Sequence, residues 1–415
     1  MLNVLQGLLA IAILLAIAFA LSENRRAIPL RIVAGGVALQ IALALLFTKF
    51  PPAIAAIMVL THGVEALQRA TDAGTALVFG FLGGGPLPYL ETKQGASFIL
   101  AFRAFPMVLT ISALATLLFH WGAMQKIVAA FAFVLRRTLG VGGPLGVGAA
   151  THIFVGMVEA PLIVRPYLSA MSRGELFALM SCGMAGIAGT VMAIYGAILG
   201  AHVPDALPNI IAAAIISTPA ALALAALMVP FTPDDSATKI EIPDPAANSF
   251  EAIVRGTMDG VKILAGIIAL LIVVVALVHL ADAALSLLPG IGGKPISIRA
   301  AFAVVFRPLV WLIGVPWPET GTAAMLMASK TALNEFVAYL DLAALPDGAL
   351  SARSKLIMTY ALCGFSNFGS LGIMIGGMVA MTPERRHDIV TLAPRSLVSG
   401  TLATLMSGAV IGMIV

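Results

Sequence analysis

The chain has 415 residues, of which 60% are apolar and only 11% charged, with a mean hydropathy of +1.03. Soluble domains run at about 45–50% apolar and about 25% charged. A water-soluble globule is therefore excluded, because too few charges would remain to cover its exterior. The net charge of +4 is scattered over short loops; it bears on topology and offers nucleic acid no basic block to meet. Cys182 and Cys363 lie in apolar segments and imply neither a disulfide framework nor a metal cluster.

A bilayer core takes about 20 apolar residues per helix. In chain order the spans read Leu2–Leu21, Ile28–Phe47, Ser97–Phe119, Glu175–Leu199, Asn209–Val229, Val261–Leu280, Ser354–Val379 and Ile389–Val415. The first lacks a basic leader and an A-x-A site, so it reads as a retained helix rather than a cleaved signal. Glu23, Arg25 and Arg26 follow the first span, and Glu384, Arg385, Arg386 and His387 precede the last. With both basic loops cytoplasmic, an even number of spans places both termini outside.

Two apolar stretches, Gly140–Met171 and Arg299–Leu342, are interrupted by Gly, Pro and charge at what would be membrane depth. Non-helical backbone is tolerated there only when buried in protein or lining a polar cavity, so each reads as a re-entrant hairpin. Pro51–Phe81, with Glu65, Arg69 and Asp72, reads as an interfacial helix. The run Thr232–Asn248 reads as a polar loop between two halves.

The halves echo each other. A hairpin carrying Glu159 precedes a span with Cys182 and Gly183, and a hairpin carrying Glu335 precedes a span with Cys363 and Gly364. Paired interruptions of this kind point to the midplane site of a secondary transporter. The expected fold is an all-α polytopic membrane protein, about eight transmembrane helices plus two re-entrant hairpins in two inverted-repeat-like halves. Residues 1–93 would supply N-terminal scaffold spans and an interfacial helix, and 94–139 a scaffold span and another interfacial helix. Residues 140–230 would form the first transport-core half, 231–298 a polar loop and scaffold span, and 299–415 the second core half.

Three constellations could carry chemistry. Glu159 puts an ionisable group inside an apolar stretch just before Pro161, so something polar has to satisfy it, unless it is simply solvated at a hairpin tip. Lys330 and Asn334 are i,i+4 neighbours on one expected helical face, with Glu335 turned about 100° away. Lys330 reads as a structural partner of a carboxylate and Glu335 as the better substrate ligand. In Phe365, Ser366, Asn367, Gly369 and Ser370, polar side chains and glycines interrupt a span; unwound backbone there offers hydrogen bonds to a neutral solute and Phe365 a flat face. Packing of helices through small residues is the alternative reading of that segment.

Other patterns carry less. Gly140, Gly142, Gly143, Gly146 and Gly148 have no preceding strand and no Lys-Ser/Thr, so they read as the turn leading into the hairpin rather than a phosphate loop. His120, His202 and His279 lie near span ends. No zinc signature, nucleophile elbow or Walker motif is present.

These residues together resemble the bacterial branch of the concentrative nucleoside transporter family, most strongly from Phe98 to the C-terminus. The most specific element is Lys330-Thr331-Ala332-Leu333-Asn334-Glu335-Phe336-Val337-Ala338-Tyr339, similar to the family signature ending in N-E-F-V-A. Phe154-Val155-Gly156 with Glu159-Ala160-Pro161, Gly314-Val315-Pro316-Trp317 and Pro383-Glu384-Arg385-Arg386 support it. The resemblance implies a homotrimer in the bacterial cytoplasmic (inner) membrane that imports nucleosides on a sodium or proton gradient, with no other cofactor. Matched position by position, it implies ribose binding at Glu335, Asn367 and Ser370, an aromatic beside the base at Phe365, and a hairpin glutamate at Glu159. A ribose is neutral with vicinal hydroxyls, so a carboxylate and an amide can hold it without a counter-cation.

The departures are informative. The family usually has Gly-Gln-Thr/Ser-Glu where this chain has Gly156-Met157-Val158-Glu159. Losing polar groups that read a base edge removes the penalty for a wrong base, so base recognition is expected to be altered. His152 stands where sodium-coupled relatives have Asn, and Gly186 where they have Ser or Thr, while Val155 and Ile187 still offer carbonyls. Hard cations prefer oxygen ligands and histidine titrates near neutrality, so proton coupling through His152 or Glu159 is favoured over sodium, against a plain packing role for His152. The remaining alternatives are sodium-coupled uptake, the same fold carrying a nucleobase or another hydroxylated metabolite, a channel, and an intramembrane enzyme, for which no paired nucleophile or metal set is visible.

Overall fold

The computed structural model describes residues 2–91, 97–200, 202–232, 246–290 and 296–415. Most of the polar loop expected between the halves, including Pro233, Asp234, Asp235, Pro243, Asp244 and Pro245, lies outside the described residues. Among the described residues every regular element is helical.

The N-terminal part comprises α1 (Leu2–Ala20), α2 (Leu30–Lys49) and α3 (Pro51–Phe79). One pattern of elements then occurs twice. A membrane-long helix leads, made of α4 (Leu100–Arg103) and α5 (Met107–His120) in the first pass. An amphipathic helix follows, α6 (Ala123–Leu139), then a hairpin of α7 (Gly143–Thr151) and α8 (Glu159–Ile163). The pass ends with a broken span, α9 (Arg173–Ala185) and α10 (Gly189–Leu199), and a long helix, α11 (Ala206–Met228). The second pass runs through α12 (Ser249–Leu285), α13 (Ile298–Leu312), the hairpin α14 (Thr320–Ala332) and α15 (Glu335–Ala343), the broken span α16 (Ala352–Leu362) and α17 (Phe368–Met381), and α18 (Arg386–Ile414).

Six helical stretches among the described residues are long and apolar enough to cross a membrane: Asn3–Ala20, Leu30–Lys49, Leu100–His120, Ala206–Met228, Ser249–Leu285 and Pro383–Ile414. The other two expected spans, Glu175–Leu199 and Ser354–Val379, are not continuous helices but two half-helices each. The backbone turns extended at Gly186 (φ −100°, ψ 175°) and at Asn367 (φ −143°, ψ 165°). Helix ends leave orphan backbone groups that must find partners when buried. They find them in each other: the Phe365 N–H donates to the Gly186 carbonyl at 3.0 Å, and the Ser366 hydroxyl to the Met184 carbonyl at 2.8 Å. The two breaks therefore cross in contact.

Local signals explain the element starts. Ser172 and Glu175 form a reciprocal capping box at α9, and Gly140, at φ +76°, supplies the left-handed turn from α6 towards hairpin 1. Of the most apolar stretch of α11, 94% is buried inside the protein, and of that of α12, none. The first is thus a central packing element, and the second presents its apolar face outward, as a lipid-exposed helix does. α2 approaches α11 closely because Gly36 has no Cβ; one added there would stand 2.6 Å from the Pro219 carbonyl. Gly256 lets α12 close on α5 in the same way, 2.6 Å from the Ser112 carbonyl.

α1 and α2, expected among the scaffold spans of residues 1–93, pack on α11 and α18, whereas α12 packs on α5. The first pair thus joins the helices around the broken spans, helped by a buried hydrogen bond from Gln40 to Ser407 at 3.0 Å. The two basic loops meet on one face. Glu23 pairs with Arg173 and with Arg395, each at 3.1 Å, and Arg173 reaches Asp388 at 2.7 Å.

Candidate substrate site

The site is built on helix starts. Asn334 caps α15, its side chain accepting from the Val337 N–H at 2.9 Å, and Asn367 caps α17, accepting from the Ser370 N–H at 2.7 Å. Asn is favoured at such positions because its carbonyl takes an otherwise orphan donor. This corrects the expected helical face shared by Lys330 and Asn334: α14 ends at Ala332, and Asn334 is extended (φ −167°).

Capping places Glu335 at the first position of α15, aimed at the crossing breaks. Its Oε1 accepts from the Tyr195 hydroxyl at 2.6 Å and its Oε2 from Asn367 Nδ2 at 2.9 Å. Glu335 is only 4% exposed. A buried carboxylate is expensive unless hydrogen-bonded, and here two neutral donors from α10 and α17 hold it. Lys330, fully buried, makes no close pair with a carboxylate among the described residues; its ammonium donates to the Ala361 carbonyl at 2.9 Å and the Thr404 hydroxyl at 2.8 Å.

These groups open on a cavity of about 410 Å³, a volume typical of small-molecule sites. All eight residues expected at a substrate site border it: Gly156, Met157, Val158 and Glu159 from hairpin 1, Glu335 from hairpin 2, and Phe365, Asn367 and Ser370 from the second break. The rest of the wall is largely apolar, with Phe105, Val191, Ile194 and Phe336, and a face of α12 carrying Ile263, Ile267 and Leu271. The Glu159 carboxyl, at the start of α8, lies over Gly156, where any Cβ would collide with it.

The residues expected at the coupling cation divide. Glu159 borders the cavity, whereas His152, Val155, Gly186 and Ile187 lie behind its wall, where the tip of hairpin 1 meets the first break. The Gly189 N–H fastens that junction to the Phe154 carbonyl at 3.1 Å. His152 is 4% exposed. Its imidazole packs against Gly183 of α9, with Cε1 3.1 Å from where a Cβ there would stand, and its Nε2 has no hydrogen-bond partner among the described residues.

Two parts of the site were not anticipated from the residues. Tyr195 was not singled out, although the chain has only five tyrosines and a buried tyrosine needs a partner for its hydroxyl. The α12 wall was read as an ordinary span, since periodicity says nothing about which face closes a chamber.

A solute-sized chamber between two broken helices and two hairpin tips, inside a multi-pass helical bundle, defines a membrane transporter. Comparison with known proteins narrows the class. Family models match over residues 209–412 (Na+ dependent nucleoside transporter C-terminus) and 9–82 (Na+ dependent nucleoside transporter N-terminus). A third, for nucleoside recognition, matches over residues 101–202. The chain belongs to the concentrative nucleoside transporter family.

An uncharacterized transporter of Haemophilus influenzae is 37% identical over 424 residues, covering 100% of this chain and 98% of that protein. The putative nucleoside permease NupX of Escherichia coli is 33% identical, covering 100% and 99%. Among solved structures, CNTnw in an inward-facing substrate-bound state matches with a TM-score of 0.89 and 35% identity, over 99% of this chain and 97% of that one. Members of this family are transporters, which removes the enzyme alternative.

Proposed function

We propose that this protein imports nucleosides by cation symport, binding the ribose in the chamber between the breaks. The observation that carries this reading is Glu335, a buried carboxylate held by Tyr195 and Asn367 rather than by a cation. Such a carboxylate accepts vicinal hydroxyls without requiring a charged solute. Ser370 and Asn367 extend the ribose subsite, Phe365 lies beside the base, and Glu159 faces them from hairpin 1. Met157 and Val158 put apolar groups where a base edge would otherwise be read. Base selectivity is accordingly relaxed, and discrimination falls on the sugar.

Proton coupling is favoured over sodium. The junction of hairpin 1 and the first break offers no side-chain oxygen at Gly186, and that residue's carbonyl already accepts from Phe365. It does contain a buried imidazole nitrogen without a partner among the described residues, so the proton is carried by His152 or Glu159. Sodium coupling is the second reading, favoured by the name of the matching family models. The assembly is a homotrimer in the bacterial inner membrane. α3, α5 and α12 serve as its scaffold, and the helices around the two breaks as the moving core.

Competition for labelled uridine uptake tests the ribose assignment. Adenosine and cytidine compete about equally with uridine, whereas 2′- and 3′-deoxyuridine lose about tenfold or more, as expected for loss of one hydrogen bond to a charged group. Equal competition by free uracil would move the solute to the nucleobase class.

A further inference from the structure

Lys330 is a fully buried charged side chain for which the substrate reading has no use. Its two partners lie where the second broken span ends its first half. Ala361 is in the last turn of α16, whose C-terminal carbonyls lack helical partners and form the negative end of the helix dipole. The Thr404 hydroxyl spends its own proton on the Thr401 carbonyl at 3.0 Å, so it accepts from Lys330. The Thr404 methyl also abuts Gly364 inside the break, 2.7 Å from where a Cβ would stand. One ammonium thus ties α14, α16 and α18 together at the point where the chain unwinds towards Phe365 and Asn367. It stands on the same hairpin as Glu335, five residues earlier in the chain.

The first half has a counterpart. His152, just past the end of α7, lies against α9, the half-helix that leads into the first break, its Cε1 3.1 Å from where a Cβ on Gly183 would stand. In each half a nitrogen base from the hairpin's first arm meets the half-helix before the break. In the second half that base is tethered to the chain and donates to two acceptors at once.

We propose that Lys330 is the resident cation of the second half and acts as a positioning residue. It does for hairpin 2 and the α16/α17 break what a transient coupling ion does for hairpin 1 and the α9/α10 break, and it fixes Glu335 and Asn367 for the solute. This rests on the reading of the chamber as a nucleoside site and adds a residue that touches no solute.

The test has two arms on the full-length protein in proteoliposomes. Initial-rate uptake of labelled uridine is compared for the parent, Lys330→Met and Thr404→Val. In a Cys182→Ala background, alkylation of Cys363 by N-ethylmaleimide reports opening of the break independently of any solute. Expected are a rise in KM of about tenfold or more for Lys330→Met, of about threefold for Thr404→Val, a smaller change in Vmax in each, and several-fold faster Cys363 alkylation. A KM for Lys330→Met within about twofold of the parent, or unchanged alkylation, overturns the proposal. If Lys330→Met does not reach the membrane, an unchanged KM and alkylation rate for Thr404→Val overturn it in the same way. If the parent takes up no uridine, the nucleoside reading fails, and the alkylation rate alone decides the role of Lys330.

Discussion

Tyr195 donates its hydroxyl to Glu335 Oε1 at 2.6 Å, joining the second half of one broken span to the hairpin of the other half of the molecule. Because Asn367 holds the other carboxylate oxygen at 2.9 Å, the direction of the Glu335 carboxylate is set from both sides. The Tyr195 ring is itself packed against Tyr339 at 4.9 Å between centroids. Tyr195→Phe keeps that packing and removes one donor to a charged group, worth about 1.5–3 kcal/mol. Uridine KM is expected to rise about tenfold, and the melting temperature to fall by a few degrees because the buried carboxylate loses a donor. An unaltered KM would mean that the carboxylate needs no help from α10.

Gly156→Ala tests Glu159 by displacement rather than removal. The three atoms nearest to a Cβ at this position all belong to the Glu159 carboxyl, the far end of a flexible side chain, so that side chain gives way and the fold is retained. Uptake affinity is expected to fall about tenfold, while the melting temperature stays within about 2 °C of the parent, since a side chain moving into the chamber has little effect on packing. Parent-like kinetics would take Glu159 out of the solute site.

Gly364→Ala acts on the crossing of the two breaks. Its Cβ would stand 2.8 Å from the Ala185 carbonyl and 2.7 Å from Thr404 Cγ2, in a place where backbone rather than a flexible tip has to move. The contact between Phe365 N–H and Gly186 O is lost, and overpacking of this kind costs about 1–3 kcal/mol. Thermal unfolding in detergent, followed by tryptophan fluorescence, should show a clearly lowered midpoint. A stable variant with normal uptake would show that the breaks need not touch.

His152→Asn combined with Gly186→Ser returns two side-chain oxygens to the junction of hairpin 1 and the first break. Sodium prefers such ligands, as hard cations do. Uptake by the double variant is expected to be about tenfold faster in sodium than in choline, with loss of the response to an inward proton gradient. Persistence of proton-driven uptake would place the carrier elsewhere than His152.

The legible part of this protein was whatever hydropathy or local chemistry dictates. Six spans follow from apolar length alone, and the hairpins follow from Gly, Pro and charge at depth, because the bilayer forbids such backbone elsewhere. Glu159, Glu335 and Asn367 stand out as polar groups in apolar runs, whereas Gly156, Met157 and Val158 enter only through the family resemblance.

The crossing of the breaks was not legible. The hydrogen bond from Phe365 to Gly186 joins residues far apart in sequence, and neither carries a signal for the other. Tyr195 was missed for the same reason. Asn334 was misplaced on a helix face even though an Asn followed by Glu is also a helix-start signal, as α15 proves to use it. The seat of α1 and α2 against α11 depends on glycine contacts such as Gly36 with Pro219, which no periodicity encodes.

Coupling is the central claim, and it is tested most directly by uridine accumulation in proteoliposomes with an imposed sodium gradient in one arm and an inward proton gradient in the other. Accumulation above equilibrium is expected with the proton gradient and none with sodium alone. Accumulation driven by sodium without a proton gradient would contradict it, and would return His152 to the role of a packing residue behind the chamber wall.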